Sequence, residues 1–168
     1  MVALRHWQDS VFAEMEAVSC NYLLQVQAAQ SKMLDYAQHS MLRLQTHRRA
    51  ASKGKDALDG NHLQAKWNKV KFFKHGGKTV KSMTSVRKSE GQDCYSMAQL
   101  KEFAQDWEWP LVEKTEKQLA LLRRQASFIA QGITQLRYAR MAESRYDEKY
   151  VFVEDDEQAE AKPATSSS

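Results

Sequence analysis

The run VFAEMEAVSCNYLLQVQAAQSKMLDYAQHSMLRL, residues 11–44, lies inside an opening stretch, Met1 to Ser52, that contains no Gly and no Pro. Apolar residues recur in it at Val11, Met15, Val18, Tyr22, Val26, Ala29, Met33, Ala37 and Leu44, with Ser40 filling one step. Steps of 4, 3 and 4 place Val11, Tyr22, Met33 and Leu44 eleven residues apart. That spacing predicts one amphipathic helix over residues 3–50, about 50 Å long from Val11 to Leu44 at ~1.5 Å per residue. Its polar flank is rich in Gln (Gln25, Gln27, Gln30, Gln38, Gln45). An eleven-residue coiled-coil repeat and ordinary globular packing both fit the period. A stripe this long needs a surface to cover it.

The helix is expected to end near Arg48-Arg49, where cations suit the negative end of the helix dipole, with Gly54 just beyond. A basic connector over 51–95 follows, with a turn at Asp59-Gly60-Asn61. Within it, residues 62–87 read two ways. As a helix, Leu63, Trp67, Val70 and Phe73 form a face that Lys66 and Lys74 interrupt, and Gly76-Gly77 is the cap. As strands, Asn68, Val70 and Phe72 alternate with Lys69 and Lys71, Gly76-Gly77 is a two-residue turn, and Thr79 to Val86 returns.

Ser96 followed by Gln99 is a capping box, opening a short helix over 96–108 with Met97, Leu100, Phe103, Ala104 and Trp107 on one face. Pro110 fits the first turn of a last helix over 110–147. There Leu119, Ala126 and Ile133 alternate with Leu122, Ile129 and Leu136 in a heptad seam. Residues 150–168 lose the pattern, turn acidic and end in Ser, which predicts a disordered tail.

The expected fold is therefore mainly all-α. It is an antiparallel bundle of two long amphipathic helices with one or two short helices, the strand reading adding a small basic β-hairpin at 68–86, within a domain of residues 1–149. The expected helix–helix interface comprises Val11, Val18, Tyr22, Val26, Met33, Leu44, Leu119, Leu122, Ile129, Ile133 and Leu136.

Net charge is +4, but it is unevenly placed. Lys53 to Lys88 holds ten basic and two acidic residues, and Met141 to Ser168 three basic and eight acidic. Cys20 and Cys94 form no CxxC motif, and the five His residues are scattered, so no metal site or cofactor is expected. No nucleophile elbow, phosphate loop or dinucleotide fingerprint is present, so the chain reads as a non-enzyme without a small-molecule substrate. The start lacks a signal-peptide pattern and no apolar run reaches the ~18 residues of a membrane span, so a soluble, cytoplasmic protein is expected.

Three features carry candidate functions. In the basic middle, Lys66, Lys69, Lys71, Lys74, Lys78, Lys81, Arg87 and Lys88 alternate with Trp67 and Phe72. Lysines for phosphates and aromatics for bases or headgroups suit a nucleic acid or another anionic surface. In the tail, Tyr150, Val151, Phe152 and Val153 precede four acids, like SUMO-binding and autophagy-adaptor peptides that add a strand to a partner's sheet. The amphipathic helices themselves predict self-association or a protein partner, and a scaffold role is the first expectation.

Met33-Leu34-Asp35-Tyr36-Ala37-Gln38 and Leu100-Lys101-Glu102-Phe103-Ala104-Gln105 share an acid-aromatic-Ala-Gln core. These Gln-rich helices resemble phasins over Ser10 to Ala51 and Met97 to Ala130. The resemblance implies a coat on polymer granules or lipid, and the basic middle departs from it.

Overall fold

The computed structural model describes residues 2–49, 62–88 and 91–157, the side chains of Arg48, Arg49, His62 and residues 147–157 excepted. In chain order these form α1 (Val2–Gln30), a 3-10 turn (Tyr36–Gln38), β1 (Leu42–Arg49), β2 (His62–His75), β3 (Lys78–Ser85), α2 (Met97–Phe103) and α3 (Trp109–Glu157). The strands make one antiparallel sheet in the order β1-β2-β3. This overturns the expected all-α bundle: a three-stranded sheet occupies the end of the expected first helix and much of the connector.

The two long helices still pair, and they run antiparallel. Tyr22 of α1 donates to Glu108 at the start of α3, while Leu4 lies 3.8 Å from where a side chain on Gly132 would begin.

The first helix stops at Gln30, not near residue 50. Its last turn tightens, as Lys32 N–H reaches Ala29 and Met33 N–H reaches Gln30. Asp35 then accepts from Ala37 N–H at 2.9 Å and caps the 3-10 turn. From Leu42 the period becomes two. Leu42 and Leu44 are buried, while Arg43 and Gln45 alternate with them. Leu44 thus fills the core from a strand opposite Trp67, and its eleven-residue offset from Met33 has no helical meaning.

Of the two readings of 62–87, the hairpin is the one formed: β2 and β3 pair from Asn68 opposite Ser85 to His75 opposite Lys78, and only β2 reaches further back, to His62, where it pairs with β1. Gly76 (φ 57°) and Gly77 (φ 79°) both have the positive φ of the two-residue turns whose twist matches paired strands. Nothing lies within 4 Å of a Cβ at either position, so backbone conformation, not packing, selects glycine there.

The core lies between the sheet and the helix pair. Phe12, Met15, Tyr22 and Val26 of α1 meet Leu63, Ala65 and Trp67 of β2 and Val112, Leu119 and Leu122 of α3. Tyr22 meets Trp67 edge-on, ring centroids 4.9 Å apart. Of the expected interface residues, Tyr22, Val26, Leu119, Leu122, Ile129 and Ile133 are buried. Val11, Val18 and Met33 are half-buried, and Leu136 is exposed.

The last helix runs on to Glu157, past the Tyr150 at which the tail was expected to begin. Tyr150, Val151, Phe152 and Val153 fall within it, but their side chains lie outside the described residues. No described helix is long and apolar enough to cross a membrane.

Candidate functional site

Pairing between β1 and β2 ends at Leu42 opposite Lys69. Beyond that point β2 and β3 continue alone, from Val70 opposite Met83 to His75 opposite Lys78. A two-stranded ribbon therefore extends past β1. Every residue from Lys71 to Lys81 is exposed, including the large apolar side chains Phe72 (56%) and Phe73 (49%). His62 to Lys88 contains no Asp or Glu.

Register assigns these side chains to faces. Phe72 stands opposite Lys81 and Lys74 opposite Thr79 on one face; Lys71 stands opposite Ser82 and Phe73 opposite Val80 on the other. Alternation carries the Phe72 face back through the buried Val70 and Asn68 to Lys66, with Arg43 opposite Asn68, away from the face bearing Leu44 and Trp67. One side of the sheet thus aligns Arg43, Lys66, Lys74 and Lys81. Between them Asn68 donates to Gln45 at 3.0 Å and accepts from Ser85 at 2.9 Å, which ties the three strands together.

The residues singled out in the basic middle separate into groups. Lys71, Phe72, Lys74, Lys78 and Lys81 come together on the ribbon. Trp67 is fully buried, and the Lys69 ammonium sits 3.6 Å from the centre of the Phe103 ring. Arg87 and Lys88 are exposed beyond the end of β3, and Lys88 borders a different cleft with Lys66, Asp93 and Arg123.

Two buried carboxylates fix the base of this surface. Glu116 is fully buried and accepts from Trp67 Nε1 at 2.7 Å and from Tyr95 N–H at 2.8 Å. Arg123 grips both of its oxygens, at 2.8 and 3.1 Å, and also donates to the carbonyls of Asp93 and Ala65. Burial raises the pKa of Tyr95 above its ordinary value, against the opposing pull of Arg123.

Glu108 is the second. It accepts from the hydroxyls of Tyr22 and Ser40, each at 2.5 Å. Burial pushes its carboxyl above the usual range, and the bonds from Ser40, Tyr22 and Gln105 N–H oppose that rise. Tyr22 is raised in turn, first by burial and then by the Glu108 charge. Ser40 belongs to the segment between α1 and β1. Trp107 Nε1 holds the same segment by donating to the Gln38 carbonyl at 2.9 Å, and Gln105 by donating to the carbonyls of Ala37 and His39.

That segment brings Tyr36 (81% exposed) and Leu34 to the surface, in residues the sequence reading placed mid-helix. The readable sign was Asp35, whose short acceptor side chain favours a turn two residues on. Among the described residues no cluster of His, Cys, Asp or Glu is placed to hold a metal, and Cys20 and Cys94 are exposed free thiols.

No curated protein and no solved structure matches the chain. A family model described as "MobI protein" matches residues 11–137, from the third turn of α1 through the whole sheet and into α3. The match covers well over half of the 168 residues. The chain belongs to the MobI protein family.

Proposed function

We propose that this protein binds DNA through the β2–β3 ribbon and the adjoining face of the sheet. The observation that carries the reading is a projecting, carboxylate-free ribbon with Lys71, Lys74, Lys78 and Lys81 on its two faces. A two-stranded ribbon has the width of the DNA major groove, whereas the major groove of an RNA helix is too deep and narrow to admit one. Ammonium groups on both faces can meet the phosphates flanking such a groove. Arg43 and Lys66 extend the charge along the sheet. Exposed Phe72 and Phe73 add apolar area that folding leaves in water. The test is fluorescence anisotropy with a labelled duplex at low and high salt. Binding that weakens steeply with salt, and is lost on K71E/K74E/K78E/K81E, supports the reading; binding indifferent to both contradicts it.

A second reading, self-association, rests on α3. Gly132 lies beside Leu4, so α3 continues past the start of α1, and Leu136, Tyr138 and Met141 are exposed on that extension. Apolar side chains on a projecting helix suit a second copy or a protein partner. Light scattering over a range of concentrations tests it: a constant monomer mass contradicts the reading, and a discrete oligomer supports it. The stripe that a granule or lipid coat would use on α1 is packed into the core, and the coat reading gains no support.

A further inference from the structure

Between the end of α1, the Tyr36–Gln38 turn and the base of the ribbon lies a groove of about 880 Å³, within the range of sites that enclose small ligands. Its floor is apolar, formed by Val26, Leu42 and Val70, all buried. Two exposed aromatic rings, Tyr36 and Phe72, stand at its rim. Arg43 and Lys81 supply positive charge, the amides of Gln27 and Gln30 are at its α1 side, and none of its described lining residues is a carboxylate. The nearby Glu108 is sealed beneath, held by Tyr22 and Ser40.

Tyr36 is the informative residue. Folding leaves its ring largely in water, yet the segment bearing it is anchored by the Asp35 cap, by Trp107 and Gln105, and its ring packs against His39 at 4.9 Å. An exposed aromatic on a fixed support is a preformed stacking face. Phe72 and Lys81 belong to the groove and to the ribbon at once, so a strand lying along the ribbon runs directly into it.

We infer that the groove receives an unpaired nucleotide of the bound DNA. The base stacks on Tyr36 over the apolar floor, with Phe72 at the opposite rim, its polar edge meets the Gln amides, and Arg43 and Lys81 hold the flanking phosphates. The protein then prefers DNA in which duplex adjoins a single-stranded stretch. This rests on the ribbon reading and adds to it a requirement for unpaired bases.

The test compares a perfect duplex with a duplex of equal length carrying a short single-stranded gap, with 2-aminopurine in the gap. Wild-type protein is expected to bind the gapped DNA about tenfold more tightly and to change the fluorescence of the probe; Tyr36→Ala, at a site too exposed to affect folding, removes both while leaving duplex affinity unchanged. Equal affinity for the two DNAs with unaltered probe fluorescence overturns the groove and leaves the ribbon standing. Failure to bind either DNA at low salt overturns both. A gap preference that survives Tyr36→Ala also overturns the inference.

Discussion

Trp67 Nε1 donates to Glu116 Oε2 at 2.7 Å across the interface between β2 and α3, and neither residue is exposed to solvent. This bond fixes the strand that becomes the ribbon to the longest helix. Glu116 is also paired with Arg123, so removing it leaves a nearly buried guanidinium with only carbonyl hydrogen-bond partners and the Tyr95 ring. Glu116→Leu is expected to cost about 3–5 kcal/mol in urea unfolding. Trp67→Phe leaves the carboxylate its other donors and costs about 1–3 kcal/mol. Adding Arg123→Met to Glu116→Leu should recover much of the loss; additive losses would show that the ion pair is not the cause.

Glu108 predicts a pH dependence. Its folded carboxyl is raised above the ordinary 4.5 by burial. Between that ordinary value and the raised one, the native state keeps a proton that the unfolded chain has released. The stability this contributes is complete below the unfolded pKa and is lost as pH rises through the folded one. Glu108→Gln keeps an oxygen for Tyr22 and Ser40 but does not titrate. Unfolding free energies of wild type and Glu108→Gln, measured from acid to neutral pH, should diverge in that direction: wild type loses stability relative to the variant as pH rises. A constant or opposite difference refutes the assignment.

The Gly76-Gly77 turn sets the ribbon's geometry. Gly77→Val puts a β-branched residue at φ 79° and should destabilise by about 1–2 kcal/mol or more. It should also weaken DNA binding although it removes no charge. Gly76→Asn, which tolerates a positive φ, should be near neutral in thermal unfolding. Equal effects of the two substitutions would mean that turn conformation does not matter.

Self-association through the α3 extension predicts that Tyr138→Glu with Met141→Glu lowers the mass seen by light scattering without lowering Tm. Both side chains are exposed in the single chain, so a fall in Tm at concentrations where the protein is monomeric would contradict that picture.

The sequence made the termini of this fold more legible than its centre. Of the α3 seam, Leu119 to Leu136, Leu119, Leu122, Ile129 and Ile133 are buried, Ala126 is half-buried and Leu136 is exposed, while Ser96 caps α2 through Gln99 N–H. Helix and hairpin readings of 62–87 balanced because Lys66 and Lys74 spoil a helical face while the Gly pair permits either a cap or a turn. Residues 31–49 misled for a physical reason: with no Gly or Pro, Asp35 is the one local break, and Leu42 to Thr46 offers too few alternations to outweigh a period continued from Val11. Pairing with β2, a tertiary effect, selects the strand there. On the candidate site, the lysines were visible as charge, but Arg43 joins them only through register. Tyr36 joins the groove only through the anchored turn. Nothing in the sequence marks Glu108 and Glu116 for burial, because burial of a carboxylate depends on partners distant in the chain: Tyr22 and Ser40 for one, Trp67 for the other.

The salt dependence of DNA affinity tests the central claim most directly. Log affinity against log salt concentration should be a steep line for wild type. Replacing Lys71, Lys74, Lys78 and Lys81 by Ala should flatten the slope by about 3–4, near ~0.9 per lost phosphate contact, with unfolding unchanged. A slope and affinity that remain at the wild-type values after all four substitutions would contradict the ribbon as the DNA-binding element.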